Sequence, residues 1–544
     1  MIRTFLRTLC SVLALTLSGP LLPVGAAWAA DGARPENFAV MEYRVLGNTV
    51  LPATDIETTL YPLLGEGKTI ADVEAARQAL ESLYRDRGYG ALYVDIPEQD
   101  VEEGVVRLRV TEGHLDRVRV KGARYFSNRR ILAALPALEP GGVLKLPDVQ
   151  KQLVQLNQQS RDREVVPVLK GGQSPGAVDV DLMVKDAVPV HGSVELTNRY
   201  TANTTQSRLG ATLSYDNLFE AGHSLSLQYQ GSPGDFGQVR MLGATYVLPV
   251  SEGGNVLALY GIDTNSDFAA AGSSAALGIL GTGRIVGARY IVRLPADPAS
   301  QQSLTFGVDY KDFIDSIRLA SGTTDKTPIR YMAWTAGYGG NWRGDPTDAV
   351  LVRTTSIDLS VNFGVRGLVN TPAAFDYKRY NARANYFHVR ADAQHEQPVW
   401  GGGVLFLRAA GQWSPEPLIS NEQQAIGGAD SVRGYLESEA LGDLGAYATV
   451  EWRSPSFHGV FGDWAQRLVA LAFVDGGIVR TLDALPNATG AVISERRLAG
   501  AGAGLRLSAL HGLTWSLDWA YPFLRGEYTV RGDSRLHLQV RYGF

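Results

Sequence analysis

The residues best placed for chemistry are an arginine and an aspartate near the C-terminal end. Arg433 lies in Ile426-Gly-Gly-Ala-Asp-Ser-Val-Arg-Gly-Tyr435, which continues as Leu436-Glu-Ser-Glu-Ala-Leu-Gly-Asp443 and falls between two stretches that alternate like strands. The connection is too long for a simple hairpin. An arginine among glycine, aromatic and apolar residues suggests a loop folded back onto or into something, with a solvated surface arginine as the plain alternative. Asp475 sits in Phe473-Val-Asp475-Gly-Gly477, an otherwise apolar strand that would point it into a barrel interior. In a confined lumen a guanidinium and a carboxylate favour a bidentate ion pair, because each alone would be poorly solvated. We therefore expect Arg433 to pair with Asp475. Glu437, Glu439 and Asp443 read as a solvated loop face, with cation binding as the alternative.

Other chemistries find no support. The histidines, among them His223, His388, His458 and His537, are scattered without metal-ligand spacing, and no nucleophile elbow or phosphate-binding loop is present. We expect no catalysis, no metal and no cofactor. With 51 basic and 56 acidic residues the net charge is -5, which argues against a nucleic-acid partner. The single cysteine, Cys10, lies in an N-terminal stretch with the marks of a signal peptide: Arg3 and Arg7, an apolar run from Leu9 to Leu22, and Ala27-Trp-Ala29. The run is shorter than the ~20 residues of a spanning helix, so cleavage is preferred to anchoring. The mature chain then has no thiol, which suits an oxidising periplasm.

The elements that must position Arg433 and Asp475 fall into two grammars. After a signal peptide over 1–29 and a short linker over 30–39, residues 40–113 read as strand, helix, helix, strand, strand. Val40 to Leu46 alternates, Ile56 and Leu60 share a helical face, and Thr69-Ile-Ala-Asp72 resembles a capping box. That box opens a helix with Val73, Ala76, Leu80, Leu83 and Tyr84 on its apolar side, and Gly88 stands at the C-cap position. Residues 114–188 repeat the order, with one larger α+β domain as the alternative. This order resembles the polypeptide-transport-associated (POTRA) domain in the tandem form found in two-partner secretion transporters. Arg87-Gly-Tyr89 and Val110-Thr-Glu-Gly113 match that family's first domain. The resemblance implies a periplasmic site that captures an extended polypeptide, as an open sheet edge can do by strand addition.

Residues 189–544 change to short alternating runs between turn residues, clearest in Ile357-Asp-Leu-Ser-Val-Asn-Phe363. Segments of about 10 residues with one lipid face and one wet face mark a transmembrane barrel, here of roughly sixteen strands. An extracellular β-sandwich is the weaker alternative. The end, Leu536-His-Leu-Gln-Val-Arg-Tyr-Gly-Phe544, alternates throughout and resembles the insertion signal of bacterial outer-membrane barrels, with Tyr542 and Phe544 at the membrane interface.

The expected fold is thus two small α+β POTRA domains followed by a 16-stranded antiparallel transmembrane β-barrel. Val432, Arg433, Gly434 and Tyr435 match the sixth-loop motif of the outer-membrane protein-assembly and two-partner secretion superfamily, and Phe473, Asp475 and Gly477 match its partner motif on the barrel wall. The resemblance implies that the loop reaches down the lumen, that Arg433 pairs with Asp475, that Gly434 permits a tight tip and that Tyr435 packs it. It further implies an outer-membrane pore in the lipid bilayer with periplasmic N-terminal domains, exporting an unfolded exoprotein that carries an N-terminal secretion domain. A barrel insertase and a passive porin or uptake channel are the rivals. The short linker leads us to expect no full plug helix and the folded-back loop as the main obstruction.

Overall fold

The computed structural model describes residues 37–544, leaving out 102, 175, 203, 252–253, 267–280, 296–298, 319–323, 345–351, 458, 460–461, 463 and 487–489. The expected signal peptide with Cys10, most of the expected linker, and His458 lie outside the described residues. Two compact units are present, and each is considered by itself.

The first unit contains the two repeats. In the first, Glu42–Leu46 runs parallel to Val105–Glu112, which pairs antiparallel with Leu92–Asp95. Helices Ala53–Leu60 and Ile70–Asp86 supply the rest of its core, where Val73, Ala76, Leu80 and Tyr84 cluster with Val106, Leu108 and Val110. These are the faces that the periodicity marks out. The Asp72 carboxylate accepts from the Thr69 backbone N–H at 2.8 Å and hydroxyl at 2.7 Å, so the shorter acid closes the cap that glutamate usually closes. The second repeat orders its sheet as His114–Lys121, Ala177–Asp186, Arg163–Gly171, with helices Asn128–Ala133 and Leu146–Gln158.

One expectation of the first repeat is corrected. The run from Val40 to Leu46 is broken at Met41: Phe38–Val40 pairs instead with Gly65–Lys68 in a separate two-stranded ribbon, while Glu42–Leu46 joins the sheet. Gly65-Glu-Gly-Lys68 has no alternation to announce a strand, so only the pairing reveals it.

The tetrapeptide Val110-Thr-Glu-Gly113 has a physical role. Glu112 accepts from the Thr49 hydroxyl and backbone N–H, the Val50 N–H and the Tyr84 hydroxyl, tying the first turn to the long helix. Burial and the nearby Glu112 charge push the Tyr84 phenol well above its ordinary value, so it stays a donor. Glu112→Ala should lower the stability of this repeat by about 1–3 kcal/mol, since donors lose their acceptor together. Urea unfolding of the two-repeat unit checks this.

The second unit is a closed barrel of sixteen antiparallel strands, the first being Val190–Thr197 and the last Arg535–Gly543. The two meet in register from Gln539↔Thr197 to Gly543↔Ser193, and Phe544 exchanges backbone hydrogen bonds of 3.0 Å with Gly192. The chain enters and leaves the barrel at one end, here the near end; strand alternation then places 198–202, 204–207, 365–386, 414–443, 481–486, 490–494 and 523–534 at the far end. Strands Ser300–Arg318 and Thr324–Arg343 reach 19 and 20 residues, about twice the length needed to cross the apolar layer. No helix among the described residues is long and apolar enough to cross a membrane, so spanning is left to the strands.

Candidate functional site

Far-end connection 414–443 turns inward. Its ends are clipped by a small ribbon, Gln424–Ile426 against Ala440–Gly442, and its tip buries Val432, Arg433 and Tyr435. Gly434, at φ +97, makes the tip turn in a conformation that side chains disfavour.

The inner wall of the twelfth to sixteenth strands receives the tip. Arg433 donates through Nε to Asp475 Oδ2 at 2.7 Å and through Nη2 to Oδ1 at 3.0 Å, a bidentate pair. Its backbone N–H reaches the same carboxylate at 3.1 Å. Nη1 donates to Glu451 Oε2 at 2.7 Å and lies 3.6 Å from Asp518. The guanidinium stacks 3.3 Å from the centre of the Phe473 ring. The Gly434 N–H donates to His537 Nε2 at 3.0 Å, and the Tyr435 hydroxyl bridges the carbonyls of Ala499 and Leu524 at 2.9 Å each. Arg453 and Arg506 pair in turn with Glu451 and Asp518, and Arg453 also reaches Glu396 at 2.6 Å. The buried charges are neutralised within one cluster.

Glycines make room for this approach. Gly477 lies where a Cβ would come 3.0 Å from Val432 Cγ2, and a Cβ on Gly500 would come 2.5 Å from the Arg433 carbonyl oxygen. Gly500→Ala should therefore lift the tip off the wall. Trypsin added to the folded barrel should then cut after Arg433 in the variant while the parent chain resists, and equal resistance would show the tip unmoved.

The stem is fixed elsewhere. Glu422 accepts from Lys311 Nζ and the Tyr331 hydroxyl at 2.7 Å each and contacts His388 Nε2 at 3.2 Å, which attaches it to the seventh, eighth and tenth strands. The tip is held by the twelfth to sixteenth. One loop is thus anchored to two separate arcs of the wall.

The acidic run after the tip is corrected from a solvated face to a buried hub. Glu439 accepts from the N–H groups of Tyr528 and Thr529 at 2.7 Å each and the Thr529 hydroxyl at 2.9 Å. Asp443 takes a bidentate Arg379 at 2.6 and 2.8 Å and the N–H groups of Leu418 and Leu482 at 2.9 and 2.7 Å. Glu437 accepts from Ala429 N–H at 3.1 Å, and beside it Asp430 pairs with Arg199. Glu439 and Asp443 are matched by donors far away in the chain, and all three carboxylates are buried, which leaves no solvated face.

The sequence reading missed a second inward segment. Connection 365–386 carries helix Pro372–Lys378, whose Phe375 packs on Tyr331 and Tyr386 inside the barrel. The signal was a proline followed by helix formers between two strands. Glu451 and Asp518 also went unnoticed, and His537 was counted only among the scattered histidines, because single polar residues on the wet face of a barrel strand are the rule. The repeated glycines at Gly500, Gly502 and Gly504 were the legible hint of a close approach.

The barrel agrees with the comparisons. A model of the haemolysin secretion/activation protein ShlB/FhaC/HecB family matches residues 176–507, and a ShlB-type POTRA domain matches residues 38–113. The outer membrane transporter CdiB of Escherichia coli O6:K15:H31 is 25% identical over 94% of this chain and 84% of its own length. The heme/hemopexin transporter protein HuxB of Haemophilus influenzae is 22% identical over 89% and 84%. The solved structure of CdiB from Escherichia coli aligns with a TM-score of 0.60 and 20% identity, covering 96% of this chain and 93% of that one. The chain belongs to the ShlB/FhaC/HecB family of haemolysin secretion/activation proteins, two-partner secretion pores of the outer membrane.

Proposed function

We propose that this transporter captures one unfolded exoprotein by its N-terminal secretion domain on the periplasmic repeats and threads it through the barrel, displacing the docked loop as it passes. The observation that carries the proposal is the attachment of connection 414–443 to the wall by ion pairs and hydrogen bonds at both tip and stem. Polar contacts of this kind can be exchanged for water or for a passing backbone, whereas a close-packed apolar plug could not be released so readily. The small sheets of the first unit end in edge strands, Leu92–Asp95 and Arg163–Gly171 among them, which suit strand addition by an extended chain. Folding of the cargo outside would bias its movement, so no covalent step is assigned. Tyr542 and Phe544, exposed beside the closing seam, serve as the terminal signal for membrane insertion.

Quantitative proteomics of medium and outer membrane, with and without the gene, tests the reading. Loss of one large protein from the medium with other barrels unchanged is expected. General depletion of barrels would make the chain an insertase, and no change in either fraction would make it a channel.

A further inference from the structure

The outward face of the barrel carries a feature that export does not use. Side chains on a strand alternate, and exposed Leu242, Leu259, Val286 and Tyr310 mark the lipid-facing set. An even number of residues from these, towards the far end, stand Arg240, Asp263, Arg284 and Asp312, and Arg330 lies opposite Asp312 across the ladder. Arg240 and Arg284 both bond Asp263, at 3.3 and 3.0 Å, Arg284 faces Asp312, and Arg330 bonds Asp312 at 3.0 Å. The fourth to eighth strands thus carry an unbroken outward row of alternating charge with three cations to two anions.

We propose that this row and the groove beneath it bind a phosphorylated saccharolipid of the outer leaflet. Arg284 and Arg330 reach their carboxylates through Nε, which leaves their terminal nitrogens to other partners, and their side chains are 78% and 69% exposed. A planar fork held in this way suits a phosphate. The three arginines stand on alternate strands, so they recur about every 10 Å, given a strand spacing of about 4.8 Å. That interval suits a disaccharide with a phosphate at each end. Charges on the lipid face are tolerated near the interface and not at the midplane, which puts the row at headgroup level.

Directly below, Leu213, Leu227, Leu242 and Val286 rim an apolar groove of about 760 Å³ that reaches Asp263 and Arg284 and has Ala244 and Gly261 in its lining. A second groove of about 570 Å³ shares Ala244, Gly261 and Val286 with it. A Cβ on Gly261 would meet no atom within 4 Å, so the hollow there is open space outside the wall rather than a packing need. Charged row above and apolar trough below match the two halves of an acylated, phosphorylated sugar.

The test is native mass spectrometry of the full-length barrel in detergent, titrated with bis-phosphorylated lipid A, its dephosphorylated form, or phosphatidylglycerol. One lipid A per barrel is expected. Affinity should fall roughly tenfold or more in the Arg284→Ala/Arg330→Ala double variant, fall in Gly261→Leu, which fills the trough without touching the wall, and rise in Asp263→Asn. Heat-modified migration on gels confirms that each variant is folded. Unchanged binding in the double variant and Gly261→Leu, equal binding of dephosphorylated lipid A, or equal binding of phosphatidylglycerol would each overturn the proposal and leave a solvated row of ion pairs.

Discussion

Arg433→Ala is expected to reduce export of the partner protein by roughly tenfold or more while the barrel still inserts and closes. The guanidinium is the only cation touching Asp475 among the described residues, and it shares Glu451 and Asp518 with Arg453 and Arg506. Removing one member of a buried pair costs about 3–5 kcal/mol, because the remaining charge is left without compensation. Here Asp475 would face that penalty alone, the docked state would lose about two to four powers of ten in its equilibrium, and the loop, no longer held against the wall, would lie loose in the lumen and obstruct the passing chain. The barrel itself is closed by backbone ladders that do not involve the loop, so insertion should survive. Asp475→Ala should act in the same direction. Arg433→Lys should restore export only in part, since an ammonium keeps the charge but cannot make the bidentate contact, the Glu451 contact and the Phe473 stacking together. Secretion assays with heat-modified migration as the control separate these outcomes. Full export from Arg433→Ala would remove the docked tip from the mechanism.

Asp443→Ala is expected to open the resting pore from the far, extracellular side. Its carboxylate, fully buried, joins three connections: Arg379 from 365–386, Leu418 at the start of the folded loop, and Leu482 from 481–494. Arg379 in turn reaches the carbonyls of Leu418 and Leu482 at 2.5 and 2.9 Å, so the pair fastens the roof in both directions. Loss of the carboxylate strands a guanidinium and frees two backbone donors, with a cost again of about 3–5 kcal/mol. Raised single-channel conductance in planar bilayers and sensitivity of cells to large antibiotics should follow. Arg379→Ala should do the same, and the double variant should add little, because both changes remove one interaction. Conductance at the parental level in all three would show that the roof is held by other contacts.

The parts of this molecule that sequence made legible are those with local period. Ile357 to Phe363 alternates and lies in a barrel strand, and the helix opened by Thr69 runs to Asp86 with its marked face inward. Arg433 and Asp475 could be paired because a glycine-flanked arginine and an acid in an apolar strand each imply a missing partner. The acidic run could not be read in the same way. Glu439 meets Thr529 and Asp443 meets Arg379, and nothing near either acid in the chain distinguishes a buried acceptor from a solvated one. The strand Gly65–Lys68 and the inward helix Pro372–Lys378 were hidden for the same reason, since each is fixed by a partner distant in sequence rather than by its own pattern.

In the proposed mechanism the loop is docked at rest and leaves the wall during export. A thiol pair introduced by Val432→Cys and Gly477→Cys tests it most directly. A Cβ at 477 would stand 3.0 Å from Val432 Cγ2, and the sequence's only native cysteine is Cys10. With the disulfide formed, export should stop and return on addition of a reductant, while the Val432→Cys single variant exports in both conditions. Export at the parental rate through a fully cross-linked barrel would contradict the account, because the chain would then be passing a loop that cannot move.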